Sequence, residues 1–297
     1  MITHLNAAPR SPERVVLLGA RGFIGAALRT QLDSQHIPNL ASTSADLDLS
    51  DASAVDKLAL MLRPSDVVVM LAALTPDKGR DIESMMKNFV KNFAMMQNVC
   101  TAIGKVGCTH FVYFSSDAVY SSADSRVTEE TPPSPQNLYG AMHHTREIMA
   151  RSLATIPVLV LRPTQIYGFE DTHNSHGPNQ FLRTAQKEGK ITLYDNGAGT
   201  RDHMHVHDVA MLTVRCLLRR STGTLNVATG ISHSFREVAE MVRKHFKDAV
   251  EISEKKGQGV THRHYDISAT IKAFPDNRFT PLAEGIARVH REMLEQN

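Results

Sequence analysis

The stretch "RVVLLGARGFIG", from Arg14 to Gly25, decides the fold. A short run of β-branched and leucine residues ends at Gly19, and helical spacing begins just after Gly22. The first glycine allows a tight turn, the second lets the backbone approach a pyrophosphate, and the third lets the helix pack closely on the sheet. The helix N-terminus then presents its amides to the phosphates. A glycine loop between a strand and a helix predicts a dinucleotide-binding site.

The segments that follow alternate between strand-like and helix-like patterns. "DVVVMLAAL" (Asp66 to Leu74) is apolar on both faces, which suits a strand of a parallel sheet with helices on both sides. The amphipathic stretch from Ser84 to Lys105 indicates a long helix, and "HFVYFSS" and "PVLVLRPTQIYG" indicate further strands. This alternation predicts an α/β fold with a doubly wound parallel sheet of the Rossmann type.

The regular alternation loosens after about residue 165. We expect residues 1–165 to form the dinucleotide-binding domain, with residues 200–222 returning to it. Residues 166–297 are expected to form mainly a smaller, discontinuous C-terminal α+β domain that binds substrate. Within it, "ITLYDNGAGTRDHMHVHDVA" (Ile191 to Ala210) has the pattern of a hairpin that leads into a helix.

Composition argues against several classes of partner. The formal net charge of +2 over 297 residues is not that of a protein with a large basic surface for nucleic acid or an anionic membrane. No apolar run is long enough to cross a bilayer, and the first twelve residues lack the apolar core of a signal peptide. The three cysteines have no CxxC spacing, which indicates reduced, buried thiols. We therefore expect a cytoplasmic protein without nucleic-acid or membrane partners.

The end of the second strand indicates which dinucleotide binds. In folds that bind NAD, an Asp or Glu about 20 residues on binds the free ribose 2′-hydroxyl. In "LASTSADLDLSD" that place holds Ala41, Ser42 and Thr43, and Arg21 in the glycine loop could face a 2′-phosphate. This pattern favours NADP(H) over NAD(H). In the alternative, Arg21 is solvated and Asp46 supplies the acid one turn later.

Three motifs together carry a family resemblance. "GARGFIG", "SSDAVY" and "YGAMH" occur in this order, and with them the chain resembles the extended short-chain dehydrogenase/reductase superfamily. The resemblance is to its sugar-nucleotide epimerase, dehydratase and reductase branch, and it runs from about Arg14 to Ile286, including "LAAL", "LRPTQIYG", "GTRDHMHVHDVA" and "LNVATG". It implies an NAD(P)-dependent enzyme that acts on a nucleotide-linked sugar.

The resemblance assigns roles to individual residues. Ser116 would hydrogen-bond the reacting sugar oxygen, and Tyr139 would be the general acid or base. Asn92 would order the proton-relay region, Asp48 and Leu49 would contact adenine, and Pro163 would lie beside the nicotinamide. The residues expected around the cofactor are Gly19, Arg21, Gly22, Phe23, Ile24, Gly25, Ser42, Thr43, Asp48, Leu49, Leu71, Ala72, Ala73, Tyr139, His143 and Pro163.

His143 stands where the resembling family has a lysine. That lysine bonds the nicotinamide ribose and lowers the pKa of the tyrosine, whereas a histidine with an ordinary pKa of about 6.5 is largely neutral at pH 7. Tyr139 should therefore stay protonated more of the time, which favours proton donation to a carbonyl oxygen, as in ketone reduction. Arg146, one further turn along, would restore part of the positive field. The alternative is an inert tyrosine in a protein that only binds the cofactor, and retention of both Ser116 and Tyr139 argues against it.

The resemblance also places residues at the substrate. Ser116 and Asp117 would contact the sugar, and Arg201, Asn179 and Lys256 match positions near the diphosphate. A guanidinium can form two hydrogen bonds with phosphate oxygens, so Arg201 is the strongest of the three. Its alternative is a salt bridge with Asp202 in the hairpin.

Ala118 argues against one class of reaction, the 4,6-dehydration of a sugar nucleotide. The 4,6-dehydratases of this branch carry an Asp-Glu pair directly after the catalytic hydroxyl, and here the pair is Asp117 and Ala118. We therefore do not expect 4,6-dehydration.

The histidines of "HMHVHD" are candidate metal ligands. His203, His205 and His207 would share one face if the segment is a strand. The family pattern already explains His205 as structural, so no metal site is predicted. His173 and His176, in the loop over the expected sugar site, are more typical of solvated side chains than of substrate contacts.

The sequence thus predicts a cytoplasmic oxidoreductase that uses NADP(H) to reduce a keto-deoxysugar intermediate linked to a nucleotide. One alternative is a sugar-nucleotide epimerase with tightly held NAD, and another is a non-catalytic dinucleotide sensor. The helix from Ser84 to Lys105 carries methionines and phenylalanines on its apolar stripe, which fits a homodimer interface or a buried core face equally well.

Overall fold

A seven-stranded sheet forms the centre of the computed structural model, which describes residues 2–75, 81–123, 125–171, 174, 177–247, 249–257 and 259–296. The strands are β1 (Thr3–His4), β2 (Val15–Leu18), β3 (Asn39–Ser42), β4 (Val67–Met70), β5 (His110–Phe114), β6 (Arg126–Val127), β7 (Val158–Pro163), β8 (Gln165–Tyr167), β9 (Lys190–Tyr194), β10 (Thr200–His205), β11 (Ser221–Val227), β12 (Ser232–Ser234), β13 (Glu251–Lys255) and β14 (His264–Tyr265). The main sheet has the order β1-β11-β7-β5-β4-β2-β3. Within it only the pairing of β1 with β11 is antiparallel.

Helices cover both faces of this sheet. They are α1 (Phe23–Ser34), α2 (Ala54–Met61), α3 (Ile82–Val106), α4 (Leu138–Arg151), α5 (Pro178–Glu188), α6 (Val206–Leu218), α7 (Phe235–Arg243), α8 (Ser268–Ala273) and α9 (Leu282–Glu295). One apolar cluster joins α1 and α6 to the sheet, and another joins α2, α3 and α4 to its opposite face. Because strands β2 and β4 are buried along their whole length, their side chains are apolar on both faces. The predicted doubly wound α/β fold is confirmed.

The chain returns to the main sheet through α6 and β11, which place residues 206–227 there. The expected domain division, with residues 200–222 returning to the dinucleotide-binding domain, stays a prediction. Strand β10 belongs instead to a three-stranded sheet with β8 and β12, outside the main sheet.

The predicted hairpin over Ile191 to Ala210 is wrong. Strand β9 pairs with β13 in parallel, whereas β10 pairs with β8 and β12. The carboxylate of Asp195, just after β9, accepts hydrogen bonds from the amides of Gly257 and Gly259. These hydrogen bonds join the end of β9 to the segment that follows β13. The turn after β9 therefore supports the parallel pairing of β9 with β13 and does not form a hairpin.

Over the described residues, no helix combines the length and apolar character that crossing a bilayer requires. The longest, α3, has a charged and polar side along most of its length.

Candidate active site

The glycine loop joins β2, which lies between β4 and the edge strand β3 of the main sheet, to α1. Gly19 has φ +100°, and a Cβ there would lie 2.7 Å from the backbone nitrogen of Ala72, so the loop can lie against the end of β4 only with glycine at this position. A Cβ on Gly25 would overlap the carbonyl oxygen of Gly19, so α1 begins directly under the turn. In the described part of the chain, no side chain caps α1. Its first amides are therefore free to bind phosphate oxygens.

A cavity of about 240 Å³ lies between this loop and the ends of β3 and β4. Its lining residues are Gly19, Arg21, Gly22, Ser42, Thr43, Ser44, Leu47, Asp48, Leu49, Leu71, Ala72, Ala73, Leu74 and Met95. The structure thus brings together most of the residues expected to hold the cofactor. Sequence reasoning missed Met95, which is on α3 and reaches the cavity only through the packing of that helix.

Arg21 lines this cavity, and Asp46 lies beside it, bonded to the lining residue Thr43. Asp46 accepts hydrogen bonds from the amide of Thr43 at 3.0 Å and from its hydroxyl at 2.6 Å. These bonds lower the pKa of Asp46, and the charge of Arg21 acts in the same direction. Both candidates for the ribose contact are therefore close to each other, and the carboxylate is turned toward Thr43.

Ser116 and Tyr139 meet where β5 ends and α4 begins. Ser116 follows β5 and accepts a hydrogen bond from the amide of Ala118 at 3.1 Å. Helix α4 begins at Leu138, where Asn137 caps it by accepting from the amide of Gly140 at 2.9 Å. A Cβ on Gly140 would overlap the carbonyl oxygen of Ala118, so the helix can approach the serine turn only because residue 140 is glycine.

The pKa of Tyr139 is raised above its ordinary value. Burial is the largest cause, and the nearby carboxylate of Asp117 adds to it, while a hydrogen bond with Ser116 and the charge of Arg146 act in the opposite direction. Tyr139 is therefore a neutral phenol at pH 7, able to donate a proton.

His143 is buried beneath Tyr139, with 2% of its surface exposed. Its Nδ1 lies 2.7 Å from the hydroxyl of Tyr113 on β5, and the rings of Tyr139 and His143 meet edge to face at 4.6 Å. Burial, and then the charge of Arg146, lower the pKa of His143 well below its ordinary value, so the imidazole is neutral.

The second ring nitrogen of His143, Nε2, has no hydrogen-bond partner among the described residues. Burial raises the pKa of Tyr113, so its phenol keeps its proton and donates it to Nδ1. The ring proton is thus assigned to Nε2. Nε2 is also buried. An unpartnered N–H group of this kind has the chemistry to donate to a ribose hydroxyl.

Asn92 on α3 holds the loop after β4. Its side-chain oxygen accepts from the amide of Leu74 at 2.9 Å, and its side-chain nitrogen donates to the carbonyl of Leu74 at 2.8 Å. The guanidinium of Arg146 also donates to the Asn92 oxygen at 3.4 Å. Asn92 therefore joins the cofactor loop to the interior of α4.

A buried ion pair that sequence reasoning missed fixes α4 on the sheet. Glu147 accepts from Arg162 on β7 at 2.8 and 2.6 Å and from the hydroxyl of Ser115 at 2.6 Å. The available signal was the spacing of Tyr139, His143 and Glu147, which recur every four residues on one helical face.

Charged residues converge on Asp117 at the substrate side. Its carboxylate accepts from the hydroxyl of Tyr265 at 2.7 Å. Burial raises the pKa of Asp117, while the charges of Arg263 and Arg201 act in the opposite direction. Sequence reasoning missed Tyr265 and Arg263, because the pairing of β14 with β6 is what carries them to the site.

Arg201 is held at this site by a neighbouring loop. It donates to the carbonyl of Thr261 at 2.9 Å and to the Thr261 hydroxyl at 2.6 Å. The alternative of a salt bridge with Asp202 does not hold, because the carboxylate of Asp202 accepts from Thr229 and Gly230 instead. The guanidinium of Arg201 thus places a positive charge near Asp117, and such a group can bind a phosphate.

Asn179 and Lys256, the other two residues expected to contact the diphosphate, have other surroundings than Arg201. The amide of Asn179 is bonded to both backbone groups of Gly168 and to Asp171, so it holds the loop after β8. Lys256 follows β13 and lines a separate shallow groove with Asp195. Their contacts with substrate stay predictions.

The histidines of "HMHVHD" do not share a face. His203 and His205 lie on β10, but α6 begins at Val206 and carries His207 away from the strand. His205 instead accepts from the amide of His207 at 3.2 Å and caps α6. Across the residues that the structure describes, no three side chains are grouped as a metal site would require. His173 and His176 lie outside the described residues.

Known proteins resemble this chain in sequence and in fold. The chain is 25% identical to dTDP-L-rhamnose 4-epimerase of Burkholderia thailandensis, covering 82% of this chain and 84% of that protein. It is 23% identical to GDP-L-fucose synthase of Escherichia coli, covering 87% and 89% of the two chains. The structure of GDP-L-fucose synthetase from Naegleria fowleri bound to NADP superposes with a TM-score of 0.88 at 18% identity, over 99% and 97% of the two chains. Residues 15–228 match the model of the NAD dependent epimerase/dehydratase family, and the chain belongs to that family.

Proposed function

We propose that this protein reduces the keto group of a nucleotide-linked deoxysugar, with NADP(H) as the reductant. The observation that carries the proposal is the pairing of a protonated Tyr139 with a neutral His143. A site that must first remove a proton from an alcohol needs a base, whereas a site that reduces a ketone needs an acid. The residues around Tyr139 favour the acid.

The proposed step uses two side chains of this protein. When bound, the reduced dinucleotide would supply a hydride to the carbonyl carbon. The hydroxyl of Ser116 orients the carbonyl oxygen, and the phenol of Tyr139 donates its proton to that oxygen, which becomes the alcohol. Tyr139 is left as a tyrosinate and regains its proton from solvent. His143 Nε2–H holds the ribose in register with Tyr139.

The substrate class is supported by the charges around Asp117. Arg201 and Arg263 place two guanidinium groups beside the catalytic pair, as a diphosphate requires. The relatives are named for epimerisation of a dTDP-sugar and synthesis of a GDP-sugar. Ala118 lacks the carboxylate expected for 4,6-dehydration, so the proposal is limited to reduction.

The preference for NADP(H) is supported by the exposed Arg21, which lines the cavity beside Ser42 and Thr43. The carboxylate of Asp46 is already bonded to Thr43. NAD(H) is the alternative, in which Asp46 turns from Thr43 to the ribose. Dissociation constants of NADPH and NADH for Arg21→Ala and Asp46→Ala distinguish them, because loss of Arg21 should weaken NADPH alone.

The reaction is tested with the purified protein, NADPH and a nucleotide-linked 4-keto-6-deoxyhexose. We expect loss of NADPH absorbance and one equivalent of reduced sugar, with both abolished in Tyr139→Phe. Interconversion of two sugars without net oxidation of NADPH would instead establish the epimerase. Cofactor binding without turnover of any sugar nucleotide would establish the sensor.

We also propose a homodimer that pairs α3 and α4. Ile82, Met86, Val90 and Phe93 on α3 expose between 41% and 69% of their surface, and Ile148 on α4 exposes 58%. Their spacing along α3 places them on one face of the helix, which forms an apolar stripe of the kind found at helix–helix interfaces.

A cytoplasmic location is likewise a proposal. It is supported by the three free cysteines, of which Cys108 and Cys216 are buried with pKa values raised to about 12 by burial. Such thiols suit a reducing compartment.

A further inference from the structure

Arg146 is a cation that is completely buried and has no carboxylate in an ion pair with it among the described residues. Its guanidinium donates to the carbonyl oxygen of Ala72 at 2.8 Å and to Asn92 at 3.4 Å. Its other contacts are the sulfur atoms of Met70 at 3.4 Å and Met142 at 3.7 Å. All four partners are neutral. A buried charge without an opposite charge is costly to fold, so a structural role alone explains it poorly.

The titratable groups that face this guanidinium come from three elements. They are Tyr113 on β5, Cys100 on α3, and Tyr139 and His143 on α4. The guanidinium carbon lies 5.1 Å from the centre of the Tyr113 ring, within reach of a cation–π interaction. The carboxylate of Asp117 raises the pKa of Tyr139, whereas the charge of Arg146 lowers it. Arg146 is thus the cation of α4 that influences the catalytic phenol.

We propose that α4 divides the work of the missing lysine between two residues. His143 supplies the neutral donor, through Nε2–H, and Arg146 supplies the positive charge that stabilises the tyrosinate formed when Tyr139 gives up its proton. Arg146 is a positioning residue, since it acts through Tyr139. The inference rests on the proposed function, in which Tyr139 is the acid.

The charge of Arg146 can be separated from its hydrogen bonds by substitution. Arg146→Gln keeps a donor for Ala72 and removes the charge, whereas Arg146→Lys keeps the charge and loses the two-nitrogen geometry. Arg151→Gln is the matched control, because Arg151 ends the same helix with 40% of its side chain exposed and bonds Glu147 and Thr224. If Arg146→Gln does not fold, Arg146→Met is the second neutral variant, because an apolar side chain of similar length often replaces a buried charge without loss of stability.

The readout is the ionisation of the phenol itself. A difluorotyrosine placed at position 139 of the full chain ionises near neutral pH, and its fluorine NMR shift gives the pKa without substrate or cofactor. We expect Arg146→Gln to raise this pKa by about half a unit or more, since the charge of Arg146 lowers the pKa of Tyr139. Arg146→Lys and Arg151→Gln should stay within a few tenths of a unit. In the NADPH assay with unmodified tyrosine, kcat of Arg146→Gln should fall by less than about tenfold for each unit, because the proton is only partly transferred in the transition state.

Two results would overturn the inference. One is an unchanged phenol pKa in the neutral variants, and the other is an equal shift in Arg151→Gln, which would show a general charge effect. A shifted pKa in a protein that reduces no keto sugar nucleotide would sink the proposed function and leave the role of Arg146 in place. Reduction of a keto sugar nucleotide by a protein whose phenol pKa does not shift in the neutral variants would support the proposed function and contradict the role of Arg146.

Discussion

The hydroxyl of Tyr113 lies 2.7 Å from Nδ1 of His143, and this contact decides what His143 can offer to a cofactor. Because the phenol donates to Nδ1, the second nitrogen carries the proton, and it has no partner among the described residues. The pair comes from β5 and α4, which lie side by side against one apolar cluster. A strand residue thus sets the hydrogen-bonding state of a helix residue.

Tyr113→Phe should weaken cofactor binding. The substitution removes the bond that fixes the tautomer of His143, so part of the imidazole population would present an acceptor where a donor is required. We expect an increase of several-fold in the dissociation constant for NADPH, measured by fluorescence titration, and a stability loss of about 1 kcal/mol. Tyr120→Phe is the control, because Tyr120 is buried in the network with Arg162 and Asn226. An equal loss of NADPH affinity in both variants would contradict the role of Tyr113.

His143→Lys should move the alkaline limb of the pH–rate profile to lower pH. The ring of residue 143 lies 4.6 Å from that of Tyr139, and a cation there favours the tyrosinate. Since Tyr139 works in its protonated form, activity is lost as the pH rises through its pKa, and a lower pKa brings that loss earlier. His144→Lys is the control, on another face of α4. A limb that does not move would show that residue 143 does not set the acidity of Tyr139.

Gly140→Ala should reduce kcat and leave cofactor affinity nearly unchanged. The added Cβ overlaps the carbonyl oxygen of Ala118, so the start of α4 must move away from Ser116. A displacement of about 1 Å can reduce turnover about a hundredfold. Gly104→Ala is the matched control, because a Cβ there meets nothing within 4 Å and alanine favours the helix. Equal kinetics in the two variants would mean that the contact with Ala118 does not position Tyr139.

His110 should make the fold sensitive to acid. Burial lowers the pKa of His110 to about 4, and its Nε2 bonds the carbonyl of Ser221 at 2.8 Å. A histidine with a lowered pKa contributes stability above its unfolded value of 6.5, and that stability is lost as the pH falls toward 4. We expect the free energy of unfolding in urea to fall by about 2 kcal/mol between pH 7 and pH 5 through this residue.

His110→Gln retains a donor for Ser221 and cannot gain a proton, so its stability should change less over the same interval. The two proteins are compared at each pH by urea unfolding. Parallel curves for the two would exclude His110 as the source.

Val90→Glu should dissociate the proposed dimer. Val90 exposes 60% of its surface in the middle of the apolar stripe on α3, and a carboxylate there would be buried in the interface without a partner. We expect sedimentation equilibrium to give a dimer for the natural chain and a monomer for the variant. Leu60→Glu on α2, at a position 89% exposed and outside the stripe, should leave the dimer intact. A monomeric natural chain would contradict the proposal.

The parts of the site that sequence predicts are those fixed by local geometry. Gly19, Ser116 and Tyr139 follow from turns and helix starts within a few residues of each motif. The contact of Tyr113 with His143 depends on how α4 lies across β5, and the approach of Arg263 to Asp117 depends on a short parallel pairing of β14 with β6. Such contacts join distant segments, and no spacing in one sequence encodes them. The predicted hairpin failed for the same reason, since Asp195 binds residues far along the chain.

The burial of Arg146 also limits which residues position 143 of the same helix can accept. Two cations one turn apart on a buried face repel each other, and the charge of Arg146 acts to lower the pKa of His143. A chain carrying Arg146 could acquire lysine at position 143 only at a cost in folding, unless residue 146 became neutral first. The order of substitutions therefore matters, and the two positions should change together among descendants of this protein.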